Sequence, residues 1–437
     1  MAAALVDRSK FKDDFVAGAE DDKGVITIYY QLTALMRKFS FPVGKWASNS
    51  ELLKNIWRVG GLEIKSVTQV LVVNWDTMRG TLFTDPRDVT DKAHEGPSTK
   101  RQFLQATSRF YDPMSLMSPI LITGKLIFQD SWCRGVGWNE LLPDDLGTRW
   151  CSWVTLLPHL LDNHIPRWAG VRVKDIYQIH VFCDTSERAY GAVLYIHSTH
   201  RTETLVRIVC SKSRLAFLKK VTLPRLELIA ALIGARLLHY FCKTMGHGIA
   251  DATLWSDSTM ALGWICNDPN RWKTFVTKRV TEIQTYTMPS QWKHCPGEDI
   301  PADNLSRGVT AEQLKKLRDW WHGPSWLSQD PDHWPSQQAR THHPLPDERT
   351  QSLLVGPTAS PGHLIESSHF SSYWSLLRIK AWILRFVRHA RRRRKSLGEL
   401  DASELMEARA HWIREVQRDC FGPELQVLQK GNPLPRE

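Results

Sequence analysis

Between residues 173 and 312 the sequence sets three β-rich runs ahead of one long apolar helix, and that rhythm restricts the segment to a sheet with helices packed on it. The runs are IYQIHVFCD (176–184), YGAVLYIHS (190–198) and TLVRIVCSKS (204–213). Pro224 then opens a helical stretch that ends near Gly246, matching the usual punctuation of proline in a first turn and glycine past the end. A strand (252–257), two helical segments (258–267 and 275–287), a strand (290–296) and a short helix from Pro301 follow. The order β-β-β-α-β-α-α-β-α predicts a mixed sheet.

The flanks differ. FKDDFVAGA (11–19) reads as strand-turn-strand. Ile28, Leu32, Leu35 and Met36 share one helical face within 26–39, and VTQVLVVNW (67–75) is β-rich. Residues 101–170 read as helices cut short by Pro113, Pro119, Pro143, Pro158 and Pro166. The proline-dense stretch from Pro324 through Pro361 reads as linker. Helical pattern returns at 371–390 and 403–419, around the basic run RFVRHARRRRK (385–395).

Composition narrows the class. With 42% hydrophobic and 24% charged residues, wholesale disorder and collagen-like repeats are excluded. A net charge of +11 favours an acidic partner. No two of the cysteines at 133, 151, 183, 210, 242, 266, 295 and 420 lie within four residues, which excludes zinc ribbons and CxxC redox motifs. The start reaches a charge too early for a secretory signal. The apolar run 228–241 is broken by Arg236 and short of the roughly 20 residues of a span. The expectation is a soluble intracellular chain, in cytoplasm or nucleus, without a membrane contact.

Four carboxylates fall at element ends: Asp184 in VFCDTS, Glu227 in LPRLEL, Asp257 in LWSDST and Asp303 in IPADNLSRG. An acid closing an apolar strand is poorly solvated, and several converging would repel one another unless a divalent cation neutralised them. Oxygen-only donors suit Mg²⁺ or Mn²⁺, and two such ions are a standard device for cutting phosphodiesters. Helix capping competes as an explanation for Asp257 and Asp303.

LWSDSTMALGWI (254–265) and HCPGEDIPADNLSRG (294–308) resemble the type-1 ribonuclease H domain of retroelements. KWASN (45–49), FYDPMSLMSPILITGK (110–125), SRLAFLKKVTLPRLELIAA (213–231) and IPADNLSRG (300–308) are similar to blocks of the Bel/Pao class of long-terminal-repeat retrotransposon polyproteins, named for a peptidase. The resemblance implies an α+β or α/β chain. Its expected parts are a truncated reverse-transcriptase palm (1–88), a helical thumb or connection (89–172), a ribonuclease H-like domain (173–312), a Pro-rich linker (313–363) and a basic helical tail (364–437) ahead of a missing integrase.

It further implies that Asp184, Glu227, Asp257 and Asp303 ligate two Mg²⁺ or Mn²⁺ ions, with Asp184 shared between them, and that His294 aids product release. Ser258, Arg214, Lys219, Lys220 and Arg225 are the expected contacts to an RNA–DNA hybrid. Arg391, Arg392, Arg393, Arg394 and Lys395 are the expected low-specificity contacts to nucleic acid.

The sequence also departs from the family pattern. Asp13 and Asp14 stand in a polymerase-like turn with Phe11 and Lys12 beside them, and the implied palm lacks its upstream acid, so polymerase activity is not expected. Val72 and Ser115 occupy glycine positions of the pattern, and Phe217 a proline position. CDTS (183–186) and SDST (256–259) lack the glycine an aspartic protease needs. Three readings follow: a nuclease cutting the RNA strand of hybrids, a degenerate fragment that only binds nucleic acid, and an inert fragment that folds poorly.

Overall fold

The computed structural model describes residues 10–11, 14–41, 43–70, 72–172, 175–200, 203–246, 248–335, 345–348, 370, 372–390, 398–429 and 431. The chain divides into two compact units, Met1–Thr350 and Gln351–Glu437.

The first unit opens with a small antiparallel pair, β1 (Lys10–Phe11) and β2 (Asp14–Phe15), then α1 (Asp22–Lys38) and α2 (Glu51–Val59). Asp21 caps α1 by accepting from Gly24 N, and Ser50 caps α2 by accepting from Leu53 N. Ser50 also donates to Asp22 at 2.6 Å, tying the two helix starts together. VTQVLVVNW folds back on itself into β3 (Val67–Val70) and β4 (Val73–Asp76), not one strand. With β5 (Thr81–Phe83) and β6 (Ile165–Pro166) they form a four-stranded sheet. Between β5 and β6 run α3 (Arg87–His94), α4 (Lys100–Thr107), α5 (Ser118–Cys133) and α6 (Asp144–Leu156). Pro119 lies in the first turn of α5 and Pro143 caps α6, where a missing N–H costs nothing.

The central sheet has five strands: β7 (Tyr177–Thr185), β8 (Ala189–His200), β9 (Glu203–Leu215), β10 (Ala252–Ser256) and β11 (Trp292–His294). Their spatial order is β11-β10-β7-β8-β9. The first three in sequence pair antiparallel, and β10 and β11 add in parallel, so the sheet is mixed as expected. The helices of this region are α7 (Leu223–Met245), α8 (Thr259–Ile265), α9 (Thr274–Tyr286), α10 (Asp303–Arg307), α11 (Ala311–Lys316) and α12 (Arg318–His322).

Strand alternation gives the sheet two apolar faces. Ile179, Val181, Ala192, Leu194 and Ile196 meet α7, α8 and α9. Phe182, Val193, Tyr195 and Trp255 meet α3 to α6 and the segment after α10, in one continuous core. The α7 helix is long and apolar enough for a membrane span by length and composition, but it is mostly buried against this sheet. Gly234 lets it lie there: a Cβ would stand 2.3 Å from Cys183 Sγ and 3.2 Å from Val181 Cγ1. A mid-helix glycine costs about 1 kcal/mol against alanine, less than separating a helix from its sheet.

Residues 313–335, expected as the start of a linker, are part of this core. Trp320, Trp326, Leu327 and Trp334 are buried there, and Trp320 Nε1 donates to Leu116 O at 3.1 Å. Indoles spaced without helical or strand period bury their area through short helices and 3-10 turns, a pattern that periodicity does not reveal.

The second unit pairs α13 (Tyr373–Ala390) with α14 (Ala402–Cys420), followed by α15 (Gly422–Gln429). Asp401 and Glu404 open α14 with a capping box. Lys380 pairs with Glu415 at 2.9 Å, and Arg385 is buried against Glu404 while donating to the carbonyls of Gly398 and Glu399.

Both positions read as displaced glycines carry left-handed backbone: Val72 at φ 64° and Ser115 at φ 58°. Ser115 sits in a turn held by Asp112, whose carboxylate accepts from Leu116 N and Met117 N at 2.9 and 2.8 Å. Non-glycine residues there cost about 1–2 kcal/mol, more when β-branched. Val72→Gly and Ser115→Gly should each raise stability by about 0.5–1 kcal/mol after the loss to the unfolded chain's entropy. Urea midpoints at unchanged slope would show it; an unchanged or lowered midpoint in both variants would remove the strain assignment.

Candidate active site

Asp184 stands one residue before the end of the central strand β7, on the same face as Phe182, and is 7% exposed. Its backbone pairs opposite Gly191 on β8. A Cβ at Gly191 would lie 2.6 Å from Lys212 O and 3.1 Å from Leu305 Cβ, so glycine there admits α10 against the strand. That seats Ser306, whose hydroxyl donates to Asp184 at 2.7 Å. Burial nevertheless raises the Asp184 carboxyl to about 7, with the carboxylates of Asp257 and Asp303 pushing the same way and the Ser306 bond opposing them.

Asp257 follows β10, a strand hydrogen-bonded in parallel to β7, so the two strand ends carry their acids side by side. Its carboxyl is raised by burial and by Asp303, against its own backbone bond, His294 and Arg307. Glu227 enters from the first turns of α7 and accepts from the Ser258 hydroxyl. Burial raises Glu227 too; Ser258 lowers it and Asp257 raises it. Asp257 therefore takes part in every acid–acid repulsion at the site except that between Asp184 and Asp303, a more central place than sequence reasoning gave it.

Asp303 opens α10 and pairs with Arg307 one turn on, at 2.6 Å. His294 ends β11 in register with Ser256, which puts it beside Asp257. All four predicted acids and His294 thus belong to one end of the sheet. Among the described residues, however, no three His, Cys, Asp or Glu side chains form a group that could hold a metal ion as they stand. Glu227 and Asp303 are turned toward Ser258 and Arg307 instead.

Residues 99–258 match the family model described as the Pao retrotransposon-like RNaseH-like domain. The match spans a little over a third of the chain. The Pao resemblance in the sequence is borne out over those residues, which include Asp184, Glu227 and Asp257. No curated protein matches the chain. Solved structures also resemble it, two foamy viral ones among them. A foamy viral protease-reverse transcriptase dRH in complex with double-stranded DNA aligns at 11% identity and TM-score 0.41, covering 69% of this chain and 49% of that one. A foamy viral protease-reverse transcriptase in complex with double-stranded DNA aligns at 11% identity and TM-score 0.34, covering 56% and 51%. The chain spans about half the length of either.

Around the Pao-type segment, several expected nucleic-acid contacts have other work. Ser258 is 6% exposed; its oxygen caps α8 by accepting from Ala261 N at 3.1 Å while its proton goes to Glu227, so it positions an acid and is not free for a substrate. Arg225 makes a bidentate pair with Asp347 at 2.8 and 2.9 Å, 122 residues away in sequence. Arg214, Lys219 and Lys220 are exposed. Arg214 lies one residue beyond Ser213, the partner of Gly191, and so at the Asp184 end of the sheet. In the basic run, Arg385 is buried, which removes it from a solvent-facing patch, and Arg388 has its charge engaged by Glu404 and Glu407. Arg391, Arg392, Arg393, Arg394 and Lys395 lie outside the described residues, as does Asp13; Asp14 falls in β2.

Ser306 and Arg307, which bind two of the four acids, escaped sequence reasoning although both stand in the quoted IPADNLSRG block. Their signal was their spacing from Asp303, three and four residues on in one helix.

The folded chain holds more protons on Asp184 than the unfolded chain does between about pH 4 and pH 7. Stability in metal-free buffer should therefore fall as pH rises through that window, by roughly 4 kcal/mol at most from this group. Asp184→Asn should flatten that part of the profile, read by urea unfolding at each pH. Parallel profiles for parent and variant would show that Asp184 is not the strained group.

Proposed function

We propose that the Pao-type segment, together with 294–307, is a nuclease of the ribonuclease H type that hydrolyses the RNA strand of RNA–DNA hybrids. The observation that carries the reading is the convergence of Asp184, Glu227, Asp257 and Asp303 from four separate elements at one sheet end, with three of them held less acidic than in water. A repulsive acid cluster costs stability and is kept where it serves a site.

The donor set fits Mg²⁺ or Mn²⁺ in chemistry, being all oxygen and rich in negative charge. Asp184, Glu227, Asp257 and Asp303 would hold such ions, with Glu227 and Asp303 exchanging Ser258 and Arg307 for them. Bound divalent ions would neutralise the cluster and sharpen a water for attack on phosphate. The chain's own residues do the positioning: Ser306 orients Asp184, Ser258 orients Glu227, and His294 stands beside Asp257, able to move a proton near the leaving group. Arg214, Lys219 and Lys220 supply phosphate contacts at the same end. Hybrid choice then rests on minor-groove shape and 2′-hydroxyls, so sequence preference should be weak. In this reading residues 1–88 are a palm remnant without polymerase competence, the basic tail adds unspecific affinity, and the compartment is intracellular.

A second reading, a fragment that binds nucleic acid without cutting it, is favoured by the Asp303–Arg307 pair and by acids not gathered as a metal group. A labelled RNA–DNA hybrid with Mg²⁺ separates the two. Cleavage by the parent, lost about a thousandfold or more in Asp257→Asn at unchanged melting temperature, is the expected outcome. Binding of the hybrid without cleavage by a well-folded parent would leave the second reading standing.

A further inference from the structure

We propose that the first unit carries a second site, a cavity that takes a small amphipathic anion: an apolar body bearing one carboxylate or sulfonate group. The cavity, about 660 Å³, lies where the four-stranded sheet meets β9 of the central sheet. Its position along β9 is set by Ile208, which pairs with Tyr195, four residues along β8 from the Gly191 that faces Asp184. It is thus separate from the carboxylate cluster.

The walls are mainly apolar, with Val73, Leu82, Met114, Leu116, Ile208 and Trp321 among them. Two arginines line it as well. Among the described residues neither Arg167 nor Arg207 has a carboxylate within ion-pairing distance. Arg167 lies over the Trp75 ring at 4.5 Å, and Arg207 Nη1 meets His322 Nδ1 at 3.2 Å. The Nε of Arg207 is buried without any hydrogen-bond partner. Arg207 is half-buried and Arg167 exposed, so the cost falls on the one N–H of Arg207 that is out of water without an acceptor, and the natural remedy is an anion. Burial holds both arginines below their usual range and His322 likewise, so the histidine is a neutral neighbour and no substitute for a counter-ion. The one carboxylate in the lining, Asp162, is 3.5 Å from Lys315, also a lining residue.

Size and lining decide the rest of the ligand. A cavity of this volume with apolar walls and a few polar groups has the character of a small-molecule pocket. A bare phosphate would satisfy the arginines and leave the apolar walls unused. A neutral apolar molecule would fill the walls and leave Arg207 unpaired.

The test is isothermal titration calorimetry of the full chain with decanoate, decan-1-ol and inorganic phosphate, each at sub-micellar or millimolar concentration. Decanoate should bind one to one and at least tenfold more tightly than decan-1-ol or phosphate. Arg207→Met and Arg167→Met should each weaken decanoate roughly tenfold or more while leaving decan-1-ol unchanged. Should either arginine variant fail to fold, Met114→Trp, which fills the cavity from its wall, should abolish decanoate binding at a retained melting transition. No binding of decanoate by the folded parent, equal binding of decan-1-ol or phosphate, or retained decanoate affinity in the variants would each overturn the proposal.

Discussion

The close approach of α7 to β7 at Gly234 and Cys183 sets where everything else at the acid cluster can stand. With the helix pressed on the central strand, its first turns lie over the strand ends and Glu227 reaches Ser258. The parallel addition of β10 beside β7 then fixes Asp257 next to Asp184, and β11 beside β10 fixes His294. On the opposite face, the absence of a side chain at Gly191 lets α10 settle with Ser306 on Asp184. One helix–sheet contact and one strand–helix contact, each made by a missing Cβ, bring together residues more than a hundred positions apart.

What was legible in the sequence is what local period encodes. The β7, β8 and β9 strands alternate, α7 begins at a proline and ends at Gly246 in left-handed conformation, and the element order through α10 follows from them. The carboxylates were legible because each stands at or near an end of an element. The partners of those carboxylates were not, since a serine hydroxyl carries no period and its target depends on which strand a helix lands on. For the same reason Arg225 looked free: Asp347 lies on a distant segment that returns to the α7 start. Arg385 looked like the edge of a basic patch because the run gives no sign that Glu404, on the next helix, turns back to bury it. Residues 313–335 looked like linker because tryptophans in short turns show neither helical nor strand spacing.

The substituted glycines read differently from the acids. At Val72 and Ser115 the backbone keeps the left-handed conformation although the side chain no longer favours it. For Ser115 the cause is visible: Asp112 binds two successive N–H groups, and Ser211 bonds the Ser115 carbonyl at 2.5 Å, so the turn is fixed from both sides. Surrounding hydrogen bonds over-determine the conformation, and local strain is carried as a few tenths to about 2 kcal/mol of lost stability.

Charge without a counter-charge beside it marks two places in the first unit, buried at one and half-buried to exposed at the other, and their signs are opposite. At the Asp184 end of the central sheet, acids are pushed toward protonation by burial and by one another, with hydroxyls, backbone N–H groups, Arg307 and His294 offsetting part of it. Beside β9, Arg167 and Arg207 are pushed the other way without a carboxylate to meet them. Simple relaxation would pair such groups, and the chain pairs others readily: Arg225 with Asp347, Arg236 with Glu282, Arg385 with Glu404. Here the two groups stand apart: Asp184 pairs opposite Gly191 near one end of β8, whereas Arg207 on β9 pairs opposite Ile196 towards the other. Opposite charges held apart in this way are what the proposed cation site and the proposed anion site would each neutralise from outside the chain.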